Sequence, residues 1–245
     1  MTERYIWKTA FFAVFLFIFG VYASTALASI SVSPIRLDLS EFRTKDVVRI
    51  SNQEAVAKSY QVEVVEWSQT ERRQEVYTPT EALLAVPPLF TLQPGEDQLV
   101  RIGMMEDADD KSEQSFRVFI TEIAPPNPEE PQTSGVSMRL QIGIPVFVAP
   151  KALPVLNFSL IDSMNIDNKL FLQFRNSGNT HVKVSEVEYK APGLEEAITT
   201  SAAMYVLAGQ TGYLPVPSPD GRAVGTVKVV TDSLGTLEYE LPVAP

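Results

Sequence analysis

The chain has 245 residues and a formal net charge of −10 at neutral pH, with 45% hydrophobic and 20% charged residues. This is the composition of a globular protein long enough for one large domain or two domains of about 100 residues each, and not that of a disordered chain. The acidic balance argues against nucleic acid as a partner. The absence of cysteine excludes disulfides, thiolate metal sites and a cysteine nucleophile.

The N-terminus has the parts of a signal peptide. Arg4 and Lys8 precede an apolar run over residues 10–22, and Ala26-Leu27-Ala28 is a small-x-small site for signal peptidase. We predict a signal peptide over residues 1–28 and export, which leaves 18 basic and 29 acidic residues and a net charge of −11. Because the run is short for a membrane span of about 20 residues, no stable membrane insertion is expected. An uncleaved membrane anchor is the alternative.

Short segments with alternating apolar residues follow, and none of them has helical periodicity. They cover residues 30–39 (around Pro34), 47–50, 60–67, 87–102 (with a Pro94-Gly95 turn) and 116–123. Segments of this length and spacing predict an antiparallel sandwich of seven strands. Four prolines between residues 125 and 131 then indicate a stiff, extended loop.

The longest alternating segment runs from Val136 to Val148, and every even-numbered residue in it is apolar. These side chains would share one face of a strand that is roughly 40 Å long at about 3.3 Å per residue. Pro145 has no N–H, which predicts an edge position at that point. The strand is then either an ordinary core strand of the sandwich or an edge that pairs with another chain, because proteins normally blunt a long apolar edge.

Residues 151–154 (KALP) are typical of a linker, and a second set of strands begins beyond them. We therefore predict a first domain over residues 29–150 and a second over residues 151–245. The predicted strands of the second domain cover residues 170–174, 182–187, 204–207, 223–230 and 237–241.

No recognisable catalytic set accompanies these strands. His181 is the only histidine, and its place between a turn and a strand predicts a surface or strand-end residue, with no GxSxG motif beside it. The acidic cluster over residues 106–110 lacks the glycine and spaced ligands of an EF-hand, so we predict a solvated loop, with weak calcium binding as the minor alternative. We expect neither enzymatic activity nor a cofactor or metal.

Four motifs in order resemble the PapD-like family, the periplasmic pilus chaperones of the chaperone-usher pathway. They are residues 33–36 (SPIR), residues 94–102 (PGEDQLVRI), the segment 116–125 that ends like the family's EIP, and the strand pair over residues 171–184. The resemblance implies an all-β protein with two immunoglobulin-like β-sandwich domains in tandem, L-shaped with a cleft between them. It also implies a periplasmic location.

In that family the last strand of the first domain is donated to a pilus subunit whose own sandwich lacks a strand. Val136, Met138, Leu140 and Ile142 match the donor positions, and Ile144 extends the set. The resemblance implies pilus or fimbrial subunits as clients and an outer-membrane usher as the second partner. In the free protein we expect the donor face to be partly exposed or covered by self-association.

The family also binds the subunit's C-terminal carboxylate with an arginine and a lysine in the cleft. Arg36 matches the arginine, whose planar guanidinium suits a bidentate carboxylate bond, while the position of the lysine falls on Pro145. The second charge then falls to Arg101, Lys151 or Arg222, or Arg36 acts alone. The alternative for Arg36 is a surface arginine beside a strand.

Two acidic residues, Glu122 and Asp220, match positions that join an interdomain salt-bridge network in the family, although Ala149 stands where its arginine is expected. The missing lysine indicates a divergent branch, which serves a simple surface fibre or a non-pilus client. The short loop over residues 125–135 resembles the subgroup that builds rod-like pili.

Three other functions remain open from the sequence. An exported binding module could recognise a carbohydrate or surface ligand through the loop over residues 125–135, although that loop has no aromatic residue. An enzyme is disfavoured by the lack of a catalytic set. A pilus subunit would be a single sandwich with a free alternating extension, whereas here the alternating strand lies between two predicted domains.

Overall fold

A computed structural model describes residues 30–70, 74–123, 139–166, 169–218 and 223–241. The predicted signal peptide, the loop over residues 125–135 and the residues Val136, Met138, Asp220 and Arg222 lie outside the described residues. All secondary structure described is β, and the described chain contains no helix long and apolar enough to cross a membrane. The all-β expectation is confirmed.

In the described residues, the first sandwich contains ten strands in two sheets. The strands are β1 (Ile30–Ser33), β2 (Leu37–Leu39), β3 (Lys45–Asn52), β4 (Lys58–Gln69), β5 (Glu75–Pro79), β6 (Leu83–Val86), β7 (Leu89–Leu92), β8 (Asp97–Met104), β9 (Gln114–Ile123) and β10 (Gln141–Val148). One sheet has the order β1-β3-β8-β6, and the other has the order β2-β10-β9-β4-β5, with β7 also beside β4. The alternating residues of both sheets meet in one core that includes Leu37, Ile50, Ile102 and Val118.

The prediction of a seven-stranded antiparallel sandwich is wrong in the number of strands and in the pairing of the first predicted segment. The segment from Ile30 to Leu39 breaks at Pro34, so that β1 pairs with β3 and β2 pairs with β10 in the other sheet. The second of these pairings is parallel. A proline has a fixed φ and no N–H, so it does not continue a ladder. The chain instead crosses between the sheets and places Leu37 and Leu39 in the core.

The described part of the second sandwich contains seven strands in two sheets. They are β11 (Phe158–Ile166), β12 (Lys169–Asn176), β13 (Val182–Lys190), β14 (Ile198–Val206), β15 (Thr211–Pro217), β16 (Gly225–Thr231) and β17 (Gly235–Leu241). The sheet orders are β11-β12-β15 and β14-β13-β16-β17, and no described sheet takes strands from both sandwiches. Two tandem immunoglobulin-like sandwiches, as predicted, are the architecture of this chain.

Sequence patterns missed two strands of the second sandwich for different reasons. In β11 the pairing with β12 shifts register between Leu160 and Asp162, which interrupts the alternation. In β15 the residues Pro215 and Pro217 argue against a strand, but β15 lies at a sheet edge where proline is tolerated.

The strand β10 is shorter than predicted but faces as predicted. It is described from Gln141 rather than from Val136, and Ile142, Ile144, Val146 and Val148 all point toward the core. β9 pairs with it along its whole length, whereas β2 pairs with it only from Val146 to Val148. The other edge of Gln141–Pro145 has no strand beside it in the described part of the chain, in agreement with the edge position predicted from Pro145.

Candidate functional site

The predicted anchor residue Arg36 lies beside the start of β2, on the outer face of the sheet that contains β10. Its Nε donates to Asp38 Oδ2 at 3.0 Å, and its Nη1 lies 3.5 Å from Asp232 Oδ2 of the second sandwich. Partial burial works against the guanidinium charge, but the carboxylates of Asp38 and Asp232 outweigh it and raise the pKa of Arg36 above its ordinary value. Arg36 is therefore a fixed positive charge at the contact between the two sandwiches.

A second arginine, Arg117, lies on the same outer face of this sheet. It was not among the residues predicted for the anchor. Arg117 of β9 is between the core residues Phe116 and Val118, so its side chain leaves the outer face of the sheet. It is directly opposite Pro145 of β10. On the other side of β10, Leu37 pairs with Val146, which places Arg36 next to Pro145.

Arg117 has spare hydrogen-bonding capacity. Its Nη1 donates to Gly143 O at 3.4 Å, and its Cζ lies 4.0 Å from the centroid of the Trp67 ring, a cation–π geometry. Its Nε is buried and has no hydrogen-bond partner among the described residues. In the sequence, Arg117 could have been noticed as a cation at an outward position of an otherwise apolar strand. Its position beside Pro145, however, follows only from the register of β9 and β10.

The other predicted cations do not join Arg36. Arg101 is exposed on β8 between the core residues Val100 and Ile102, so it leaves the outer face of the opposite sheet. Lys151 pairs with Asp110 at 3.0 Å. Arg222 lies outside the described residues.

The structure corrects the prediction for Glu122, which is not between the sandwiches. Its Oε1 accepts from Lys58 Nζ at 2.7 Å, and Lys58 also pairs with Glu54 at 3.1 Å, so this network lies within the first sandwich. The reason is the direction of β9, whose first residues face the second sandwich while Glu122 is near its far end.

The described donor positions differ in exposure along one face. Leu140 precedes β10 and is 38% exposed, and Ile142 is half-buried against the core. Ile144 is 1% exposed and belongs to the core of its own domain. Val136 and Met138 lie outside the described residues.

Residues 29–154, more than half of the chain, match the family model described as pili and flagellar-assembly chaperone, PapD N-terminal domain. The chain belongs to this chaperone family. The predicted resemblance is therefore confirmed, and the family is one of chaperones rather than enzymes. The search of curated proteins found no match to this chain.

Solved structures of pilus chaperones share the fold of this chaperone. One of them is the CsuC–CsuE chaperone-tip adhesion subunit pre-assembly complex from archaic chaperone-usher Csu pili of Acinetobacter baumannii. A chain of this complex is 20% identical, with a TM-score of 0.64 over 87% of this chain and 98% of that chain. A chain of the SafA pilin complex with the SafB chaperone from Salmonella enterica is 20% identical, with a TM-score of 0.59 over 89% and 99%. The E. coli chaperone DraB is 18% identical, with a TM-score of 0.55 over 88% and 98%.

An aromatic cluster joins the two sandwiches of the chaperone beside the two arginines. Phe147 of β10 stacks on His181 with ring centroids 3.6 Å apart, and both contact Tyr205 of β14. Trp67 completes the cluster 6.0 Å from Phe147. This cluster buries the outer face of the sheet beside Arg117, so the two arginines lie at the margin of the interdomain contact.

His181 has a structural role in this contact. Its backbone N–H donates to Glu113 Oε1 at 2.9 Å, and its Nδ1 lies 2.8 Å from the same oxygen. It precedes β13, as predicted, but is half-buried between the sandwiches rather than on the surface.

The acidic loop over residues 106–110 has no metal-site geometry. Asp109 Oδ1 accepts the backbone N–H groups of Lys111 and Ser112 at 2.7 and 2.8 Å. The N–H of Ser112 and then that of Lys111 lower the pKa of Asp109 by stabilising its charged form. Across the described ranges no group of three or more acidic or histidine side chains could hold a metal ion.

Proposed function

We propose that this protein is a periplasmic chaperone that binds an incomplete pilus or fimbrial subunit at the β10 edge and delivers it to an outer-membrane usher. One observation carries the proposal. The edge of β10 over Gln141–Pro145, which has no partner among the described strands, lies in the same sheet as Arg36 and Arg117, and these two residues flank Pro145 on the outer face. A strand added at this edge would have main-chain partners along its length and two cations near one end.

Strand addition explains why the alternating pattern continues beyond the core. An extended segment of the client would bond to the free main-chain groups of β10, while Leu140 and Ile142 fill the gap left by the client's missing strand. Full burial of an aliphatic side chain of this size contributes about 1.5–3 kcal/mol before ordering costs. We leave Ile144 out of the donor set because it is already buried in the core of the chaperone, and Val136 and Met138 remain proposed donor residues.

The anchor that we propose contains two arginines instead of an arginine and a lysine. Neighbouring strands are about 4.8 Å apart, so the backbones of Arg36 and Arg117 are separated by roughly 10 Å across β10. Both side chains are long enough to reach a carboxylate placed over Pro145. Pro145 between them is uncharged and buried, so the carboxylate would bind at the guanidinium groups of the two arginines rather than at β10 itself.

Client recovery from the periplasm tests this function. The tagged chaperone would be purified with its clients, and Arg36→Ala would be compared with Arg117→Met, which keeps the packing stem over Trp67 but removes the charge. Because a charged hydrogen bond contributes about 1.5–3 kcal/mol, each variant should lower the recovery of small exported subunits roughly tenfold or more.

Arg101→Ala is the matched control, since it removes an exposed strand arginine from the opposite face. It should recover subunits at the wild-type level. Equal recovery in all three variants would refute the anchor, and the absence of any exported subunit from the wild-type preparation would refute the chaperone function proposed here.

Export is tested by the N-terminus of the periplasmic protein. We expect it to begin at Ser29, after Ala28. An intact Met1 in the inner membrane would contradict both the cleavage site and the periplasmic location.

A further inference from the structure

A carboxylate of the second sandwich faces the guanidinium of Arg36. Asp232 follows β16, and its Oδ2 is the atom 3.5 Å from Arg36 Nη1. Its other oxygen, Oδ1, accepts the backbone N–H of Lys183 at 3.1 Å, and its own N–H donates to Lys183 O at 3.1 Å. These two bonds to β13 orient the carboxylate toward the first sandwich.

The turn that carries Asp232 is held by its own hydrogen bonds. Thr231 Oγ1 donates to Gly235 O at 2.9 Å and accepts the N–H of Leu234 at 3.0 Å. Gly235 has a φ of 69°, a left-handed conformation that glycine adopts without a steric penalty. Asp232 is therefore presented to Arg36 by a defined turn rather than by a free loop.

The two carboxylates on Arg36 hold it differently. Asp38 accepts from Nε at 3.0 Å within the same sandwich. The 3.5 Å contact of Asp232 is longer than a charge-assisted hydrogen bond, and the side chains of Arg36 and Asp232 are 39% and 33% exposed. An ion pair of this kind is weak in water, so an incoming carboxylate can replace it.

We infer that Asp232 is an internal stand-in for the client's terminal carboxylate, which occupies the Nη1 side of Arg36 in the free protein and is displaced by the client. The inference rests on the proposed function, because it assigns a competitor at the proposed anchor. Since the Arg36–Asp232 pair joins the two sandwiches, client binding and this interdomain contact exclude each other. By reciprocity, conditions that strengthen the pair favour client release.

A peptide-binding assay tests the competition. The probe is an N-terminally fluorescent peptide of about eight residues with alternating valine and threonine, long enough to cover the β10 edge. It is prepared with a free C-terminal carboxylate and as the C-terminal amide, and binding is followed by fluorescence anisotropy. Asp232→Asn removes the competing charge but keeps an oxygen for the Lys183 N–H.

We expect Asp232→Asn to bind the carboxylate peptide about two- to five-fold more tightly than the wild type, the range that a weak exposed ion pair implies. Its affinity for the amide peptide should not change. Asp38→Asn is the matched control, since it removes one charge from the same guanidinium on the first-sandwich side and should not tighten binding.

Equal tightening by Asp38→Asn would overturn the inference, because it would show a general charge effect. Unchanged carboxylate binding by Asp232→Asn would also overturn it, and would leave the proposed function standing if Arg36→Ala still weakens binding of the carboxylate peptide. A carboxylate preference that survives Arg36→Ala would contradict the proposed anchor itself.

Discussion

The two halves of β10 carry the same alternating pattern but have different neighbours. From Val146 to Val148 the strand lies between β9 and β2, and its even-numbered side chains are part of the core. From Gln141 to Pro145 β9 is the only described strand beside it, and Leu140, just before the strand, is 38% exposed. A single apolar stripe can thus stabilise its own domain at one end and remain available for a partner at the other.

The boundary between the two halves is set by β2. Because the chain breaks at Pro34 and re-enters the sheet only from Leu37 to Leu39, the partner strand on this side covers just three residues of β10. A longer β2 would pair with the edge over Gln141–Pro145 and close it. The short length of β2 is thus the physical reason that this edge of β10 has no partner among the described strands.

The largest effect is expected at Ile144, which lies in the open half but whose side chain is buried in the core. Ile144→Ala removes methyl groups from a 1% exposed core position and should lower the free energy of unfolding by about 2–5 kcal/mol. Thermal unfolding followed by circular dichroism measures the loss. A melting temperature equal to that of the wild type would mean that Ile144 is not part of the core in solution, and would restore it to the donor set.

The next effect is expected at the open end and in binding rather than in stability. Leu140→Thr should leave the melting temperature nearly unchanged, because the side chain is already partly in water. It should lower subunit recovery roughly tenfold or more, since the lost burial is worth about 1.5–3 kcal/mol in the complex. A destabilised Leu140→Thr protein whose folded fraction still binds subunits normally would show that Leu140 is an ordinary core residue.

A smaller effect is expected at the Lys58–Glu122 pair near the open half. Glu122→Gln removes one charge from the network with Lys58 and Glu54, and such partly exposed pairs contribute at most about 1 kcal/mol. The melting temperature should fall slightly and subunit recovery should not change. Hydrogen exchange at Trp67 and Tyr205 reports on the contact between the two sandwiches. A change in this exchange in Glu122→Gln would support an interdomain role for Glu122, which the structure does not show.

The smallest effect is expected for Gly143→Ala on the outer face of the open half. A Cβ there would meet the Phe119 ring at 3.0 and 3.3 Å, so the ring must move by a few tenths of an ångström. The removal of a flexible glycine from a strand offsets that cost, and the net change should be within about 0.5 kcal/mol. Chemical denaturation measures it, and a loss above about 2 kcal/mol would mean that Phe119 is fixed against the strand.

Much of the fold could be predicted from local patterns. The alternation in β10, the edge position at Pro145 and the tandem sandwiches all follow from the spacing of apolar residues and prolines. The strands β11 and β15 could not, because a register shift and two prolines disrupt the local signal while the neighbouring strands still pair with them.

The candidate site was less predictable than the fold. Arg36 could be selected from its motif, but Arg117 becomes part of the site only through the registers that place both residues beside Pro145. The same registers separate Arg101 and Glu122 from it. A residue far along the chain joins a site through strand pairing, which a sequence motif does not report.

By itself, the amino-acid sequence determined which side chains share a face of each strand, because the two-residue period is a local property of extended backbone. It also showed that the apolar alternation from Val136 to Val148 is longer than a usual strand. Only the tertiary structure decided which of these apolar side chains are buried in the core and which cations lie beside β10. The physical reason is that burial and charge proximity depend on the neighbouring strands, and those neighbours come from residues that are far apart in the chain.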